Sequence, residues 1–327
     1  MKKAGLACLI ASVIASSSAF AADSFKMGVV VKIGGIPWFN AMEEGIKKEA
    51  AKEGVNAWQI GPTSADPALQ VRAIEDLIAQ KVDVIGVVPN DAKVLEPVLE
   101  KAQKAGIKVI VHESPNQKFS DWDFELVDAK DHGINHMKKL AECMKGEGKY
   151  VAYVGSLTVP LHNVWADSAI AYQKEHYPKM QLAADKFGVA ESLDDTMRTT
   201  KDLMSKHKDL KGVLAFGSQG PIGAGRAVMQ RNKTNDICVV GPFSPGQGES
   251  LVMKGAIDGG YIWNPMTAGE VFVHVAKMMM DGKEIKDGMT IDGMGQVKVD
   301  SATKTILGNQ TESEDKENIK KLVKMGL

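Results

Sequence analysis

The chain has 327 residues, 40 basic and 41 acidic side chains, a formal charge of -1 and 44% hydrophobic residues. Charges this balanced, with Lys and Arg spread along the chain, provide no basic surface for nucleic acid or anionic lipid. Three cysteines without a CxxC exclude a disulfide framework.

The first residues read as a secretory signal. Lys2 and Lys3 are the charged start, Ala4 to Ala15 the apolar run, and Ser16-Ser17-Ser18-Ala19-Phe20-Ala21 the small-residue end with an Ala-x-Ala site. The apolar run is shorter than the ~20 residues a membrane span needs. Cys8 lies too near the amino terminus to be a lipoprotein site. The expectation is a signal peptide over 1–21, cleavage before Ala22, and a soluble periplasmic product. Cleavage leaves about 306 residues and a formal charge of about -3, which exceeds the size at which one core stops growing. Two domains are expected.

Strand and helix then alternate. Met27–Lys32 is an apolar strand. Asn40–Glu53 has a helical apolar period and stops at Gly54. Ala57–Ile60 is a strand, and Asp66-Pro67 opens a helix with Asp as N-cap and Pro at its first position. Val82–Val88 is an uninterrupted apolar run, the pattern of a parallel strand buried on both faces. Val94–Ala105 is helix, and Lys108–His112 is strand. The rhythm restarts at Phe124–Val127 and continues through strands at Lys149–Val154, Leu182–Phe187, Gly212–Phe216, Ile237–Val240 and Gly260–Trp263, with helices between them. A long helix covers Thr267–Met280, followed by a short β segment at Gln296–Val299 and a last helix near Lys316–Met325. Two α/β units with doubly wound parallel sheets follow. With no Pro/Ser-rich linker between them, close crossings and a hinged cleft are expected.

No GxSxG, GxxxxGK[ST] or HExxH is present. Gly220-Pro-Ile-Gly223-Ala-Gly225 follows a strand but lacks GxGxxG spacing, and Pro221 removes an N–H that a pyrophosphate would use. His132 and His136 are spaced i,i+4 without further ligands, and read as a solvent-facing pair. Cys143 and Cys238 read as two buried free thiols. No catalytic constellation, metal site or cofactor is expected.

Polar and aromatic residues do gather at the carboxyl ends of strands, where open α/β sheets hold ligands. They are Lys32, Trp38 and Phe39 after the first strand, Asn90 and Asp91 after the third, and Glu113 after the fourth. In the second unit they are His162 and Asn163, placed before the helix containing Trp165, then Ser218, Phe243 and Asn264. Aromatic faces covering C–H patches, together with carboxylate, amide and Lys groups for vicinal hydroxyls, suit a polyhydroxylated ligand. Several of these residues have plain structural alternatives: Asp91 as a helix cap, Lys32 as a surface lysine, Trp38 as packing.

Nearly the whole mature chain resembles the periplasmic sugar-binding proteins of ABC importers, of the ribose-binding type I class. The resemblance rests on Met27–Ala51 with its Ile36-Pro37-Trp38-Phe39 loop, on AIEDLIAQKVDVIGVVPND from Ala73 to Asp91, on Lys104-Ala-Gly-Ile-Lys-Val-Ile, and on Val127-Asp128 followed by Gly133. Within the class it is most similar to autoinducer-2 and rhamnose-type receptors. Those features are Lys32, Gly61-Pro62-Thr63, Trp263-Asn264 and Gly293-Met-Gly-Gln-Val-Lys-Val. The autoinducer-2 pocket itself differs, with Glu113, Leu161-His162, Phe216 and Ser218 at its ligand positions. The resemblance implies three crossovers, placed near Ser114, Asn264 and Ile291. The lobes are then 24–114 plus 265–291 and 115–264 plus 292–327. It implies a non-enzymatic binding protein for a small sugar or polyol, an ABC permease as partner, and autoinducer-2 reception or a chemoreceptor-coupled sensor as the alternative.

Overall fold

The computed structural model describes residues 24–327. The expected signal peptide, its cleavage site and Cys8 lie outside the described residues. No helix among the described residues is long and apolar enough to cross a membrane.

The first half runs β1 Lys26–Val30, α1 Pro37–Glu53, β2 Asn56–Ile60, α2 Pro67–Ala79, β3 Val84–Val87, α3 Ala92–Lys104, β4 Lys108–His112 and β5 Trp122–Glu125. Prolines at the first helical position start α1 and α2, and left-handed Gly54 ends α1. The second half runs α4 Ala129–Cys143, β6 Gly148–Val154, α5 Pro160–His176, β7 Met180–Leu182, β8 Phe187–Gly188, α6 Leu193–Lys206, β9 Leu210–Ala215, α7 Gly220–Gln230, β10 Cys238–Val240, α8 Pro245–Met253 and β11 Gly260–Ile262. Then come α9 Pro265–Met280, β12 Thr290–Ile291, β13 Gly295–Gln296, β14 Lys298–Asp300, β15 Thr305–Leu307, β16 Glu312–Glu314 and α10 Ile319–Lys324.

The strands form two main sheets. The first has the order β14-β15-β5-β4-β3-β1-β2 and is parallel except for β14 against β15. The second has the order β10-β9-β6-β7, with β8 also pairing with β6, all parallel. Helix α9 packs on α1, so the chain returns to the first unit after β11.

Sheet membership corrects two of the expected crossovers. The strand β5 pairs in parallel with β4, so it belongs to the first sheet and not to the second unit. The loop between them doubles back through left-handed Glu113, Asn116 and Phe119, and nothing in the strand/helix rhythm marks that return. The β14–β15 hairpin likewise extends the first sheet, through the pairing of β15 with β5. Two crossings therefore follow Glu125 and Leu307, beyond Ser114 and Ile291. They run side by side: the Gly308 N–H donates to the Glu125 carbonyl (2.8 Å), and the Gln310 N–H to that of Leu126 (2.7 Å). Asn264 lies between β11 and α9 and caps α9 by accepting from the Met266 N–H at 2.8 Å.

Two expectations about side chains are overturned. Cys143 and Cys238 are joined in a disulfide, because the end of α4 packs beside the start of β10 and brings the Cα atoms to 6.1 Å. His132 and His136 are buried, at 3% and 0% exposure, on the inner face of α4. His136 Nδ1–H donates to the His132 carbonyl at 2.8 Å, and its Nε2 accepts from the Tyr261 N–H at 3.0 Å. Burial pushes His136 down to about 4, which keeps it neutral in that role.

Candidate functional site

The carboxyl ends of both sheets meet over a small cavity. Its lining comes from Lys32 beyond β1, Trp38 in the first turn of α1, Glu113 after β4, His162 and Trp165 on α5, and Glu191 after β8. Gly217-Ser218 after β9, Pro242 after β10 and Trp263 after β11 complete it. The cavity measures about 20 Å³, room for about one water. Larger grooves lie elsewhere, one of about 620 Å³ beside the disulfide. That groove sits at the amino ends of β6, β9 and β10, away from the converging polar groups, so the chemistry favours the smaller cavity.

Lys32 is the centre. Its ammonium pairs with a Glu113 oxygen, lies 2.8 Å from His162 Nε2 and 3.7 Å from Glu191 Oε1. Lys32 and Glu113 come from the first sheet, His162 and Glu191 from the second, so the cluster spans both. Backbone clamps aim Lys32. Asn90 Nδ2 donates to the Lys32 carbonyl at 2.9 Å, and Gln70 Nε2 donates to the carbonyls of Val31 (3.1 Å) and Val88 (2.8 Å). Glu113 adopts a left-handed φ of 61°, uncommon for a non-glycine residue, which turns its carboxylate inward.

Burial pushes the Glu113 carboxyl up, but the Lys32 charge and the bond with His162 outweigh it and hold the group well below the usual carboxylate range. Burial and the Lys32 charge push His162 down, against the pull of Glu113 and Glu191. The ring is therefore neutral at pH 7. A neutral ring has one acceptor nitrogen, yet the Gly155 N–H points at Nδ1 (3.1 Å) and the Lys32 ammonium at Nε2 (2.8 Å). One of those contacts sets donor against donor.

Three indoles enclose the cluster. Trp263 meets Trp38 edge-on, with centroids 5.5 Å apart, and Trp165 at the same distance. The Trp165 ring stacks on His162 at 5.1 Å. Three buried polar atoms of the lining have no protein partner: Trp165 Nε1, Trp263 Nε1 and Ser218 Oγ. Buried polar groups are ordinarily bonded, so a group of orphans around one cavity marks a place where something else bonds them.

Of the residues expected from the sequence, the structure brings Lys32, Trp38, Glu113, His162 and Ser218 to the cavity. His162 and Asn163 lie within α5, because Pro160 starts that helix earlier than expected. Asn163 Nδ2 bonds the carbonyls of Ser156 (3.0 Å) and Val159 (2.8 Å). Phe39 and Phe243 are buried in the two cores. Asp91 caps α3, accepting from the N–H groups of Lys93 (2.9 Å) and Val94 (3.0 Å), and Asn264 caps α9. Glu191 was not singled out. Its signal is the one used for the others, a polar side chain past a strand end. That strand is two short pieces, β7 and β8, not the single run Leu182–Phe187.

The periplasmic binding protein domain matches residues 27–284. The chain belongs to that family. Among curated relatives, the ribose import binding protein RbsB of Salmonella typhimurium is 26% identical over 303 residues, 89% of this chain and 97% of that protein. LsrB from Clostridium saccharobutylicum, solved in complex with AI-2, has a TM-score of 0.85 at 20% identity, covering 90% of this chain and 99% of that one. An ABC transporter solute binding protein from Clostridium phytofermentas, with bound L-rhamnose, has 0.84 at 18%, covering 92% and 99%. At these identities, the two structural likenesses are of fold.

Proposed function

We propose that the mature chain is the periplasmic binding subunit of an ABC importer, taking a small sugar or polyol into the cleft and delivering it to an inner-membrane permease. The observation that carries this reading is the Lys32–Glu113 pair of one sheet facing His162 and Glu191 of the other, inside three indoles, two of which, Trp165 and Trp263, have unpartnered N–H groups. Carboxylates and Lys serve vicinal hydroxyls, indole faces cover C–H patches, and no bond is made or broken. The RbsB relatives support the substrate class.

In this reading the lobes are 24–125 plus 265–307 and 126–264 plus 308–327, hinged at the three crossings. The cavity of about 20 Å³ is too small for a sugar, so in this reading the ligand binds with the lobes further apart than here and shifts the population among their arrangements. The ligand-bound form is what the permease recognises. A melting-point screen of protein lacking residues 1–21, against sugars, polyols and autoinducer-2, tests the reading. A ligand at a hundredfold its dissociation constant stabilises by about 2.7 kcal/mol. If nothing in the panel moves the melting point, the substrate class is wrong. A response to autoinducer-2 alone makes the chain a signal receptor.

A further inference from the structure

We infer that Glu191 sets the charge selectivity of the cleft, so that the site takes an uncharged sugar or polyol and rejects the corresponding sugar acid. The inference rests on the proposed carbohydrate reading of the cleft.

It follows from a census of charge. The ionic side chains lining the cavity are one ammonium, Lys32, and two carboxylates, Glu113 and Glu191. Lys32 is already committed to Glu113. Glu191 is 7% exposed, and its Oε1 lies 3.7 Å from the Lys32 ammonium and 3.8 Å from His162 Nε2, at hydrogen-bond distance from neither. The imidazoles around the cavity add no positive charge: burial pushes His162, His112 and His132 below their ordinary values. The lining thus sets two carboxyl groups against one ammonium, and Glu191 is the carboxyl without a close cation of its own.

A hydroxyl of a neutral ligand donates to Glu191, whose contacts with Lys32 and His162 are 3.7 and 3.8 Å long. A carboxylate on the ligand brings a third negative group into the same space, where the one ammonium is already engaged. Selectivity then comes from repulsion of the wrong ligand as much as from attraction of the right one. The unpartnered groups around the cavity agree with a neutral ligand. Two indole N–H donors and the Ser218 hydroxyl match hydroxyl and ring oxygens, and no second free cation awaits an anion.

The test is calorimetric titration of the protein lacking residues 1–21 with matched pairs: D-ribose and D-ribonate, D-arabinose and D-arabinonate, erythritol and D-erythronate. Wild type, Glu191→Gln and Glu191→Ala are compared, each first checked for cooperative thermal unfolding. In wild type the acid of a binding pair is expected at least about 100-fold weaker than its neutral partner, and either substitution narrows that ratio by at least about tenfold. An acid that binds wild type within about threefold of its partner overturns the inference, as does a ratio that neither substitution moves. In those cases neutral binding survives and the carbohydrate reading stands. If folded wild type binds no member of any pair, the carbohydrate reading fails and takes this inference with it.

Discussion

Two groups of buried carboxyls lie on neighbouring strands of the first sheet, and their surroundings differ in one respect. Glu113, at the end of β4, has the Lys32 ammonium against it. Asp123 and Glu125, on β5, face each other with no cation: both Asp123 oxygens and Glu125 Oε1 are buried without a hydrogen-bond partner. His112 sits between the groups, 4.0 Å from Glu113 Oε1 and 3.7 Å from Glu125 Oε2, and is neutral. Burial alone pushes every one of these carboxyls up. The Lys32 charge reverses that for Glu113, whereas burial pushes Asp123 up to about 7 and, with the Asp123 charge, raises Glu125 well above its ordinary value. A buried acid is thus ionised or protonated according to one neighbouring amine. The ionised one faces the cavity, whereas Glu125 is held protonated and Asp123 is pushed up to about 7.

Lys32→Met breaks the contrast most severely. It leaves Glu113 buried without its cation, and the loss of one partner of a buried pair is expected to cost about 3–5 kcal/mol of stability at pH 7. Chemical denaturation measures it, and affinity for any bound carbohydrate falls at least about 100-fold in the same variant.

Asp123→Asn sharpens the contrast through pH. The native pKa of Asp123 is above the unfolded value, so its contribution to stability is complete below the ordinary carboxylate range and is lost as pH rises through about 7. The asparagine variant lacks the Asp123 part of that loss, while Glu125 keeps the part that burial gives it. Its melting point relative to wild type should climb from pH 5 to pH 8, with a slope of at most about 1.4 kcal/mol per pH unit. A gap independent of pH means that the Asp123 carboxyl is not raised in the native state. Glu113 has the opposite sign: its folded pKa is depressed, so its stabilisation is present above the ordinary carboxylate range and lost on acidification through its lowered folded value.

Trp38→Ala is expected to weaken carbohydrate binding by at least about tenfold through the loss of an indole wall, measured by titration. Asp91→Ala is the smallest effect and serves as the control, an acid outside both groups. It loses a helix cap worth about 1 kcal/mol, and its affinity stays within about threefold of wild type. A large affinity loss would move Asp91 from cap to site.

Much of this arrangement was legible beforehand. The alternation of apolar runs and amphipathic helices carries both sheets, and the strand-end rule points to Lys32, Trp38, Glu113, His162 and Ser218. What that rule supplies is a location, not the direction of a side chain. Phe39 follows Trp38 on the same helix, about 100° further round, and turns into the core instead of the cavity. Asp91 and Asn264 spend their oxygens on helix N–H groups. A strand that returns to its own sheet has the same local pattern as one that begins another, so the sequence does not show that β5 joins the first sheet. The disulfide joins residues 95 apart in sequence, a separation that carries no local signature.

The most direct measurement is calorimetric titration of a carbohydrate that raises the melting point into wild type, Lys32→Met and Asp123→Asn, each verified as folded. The account predicts at least about a 100-fold loss for Lys32→Met and less than about threefold for Asp123→Asn. Equal affinity in wild type and Lys32→Met would place the binding site away from the Lys32–Glu113–His162 cluster and contradict the account.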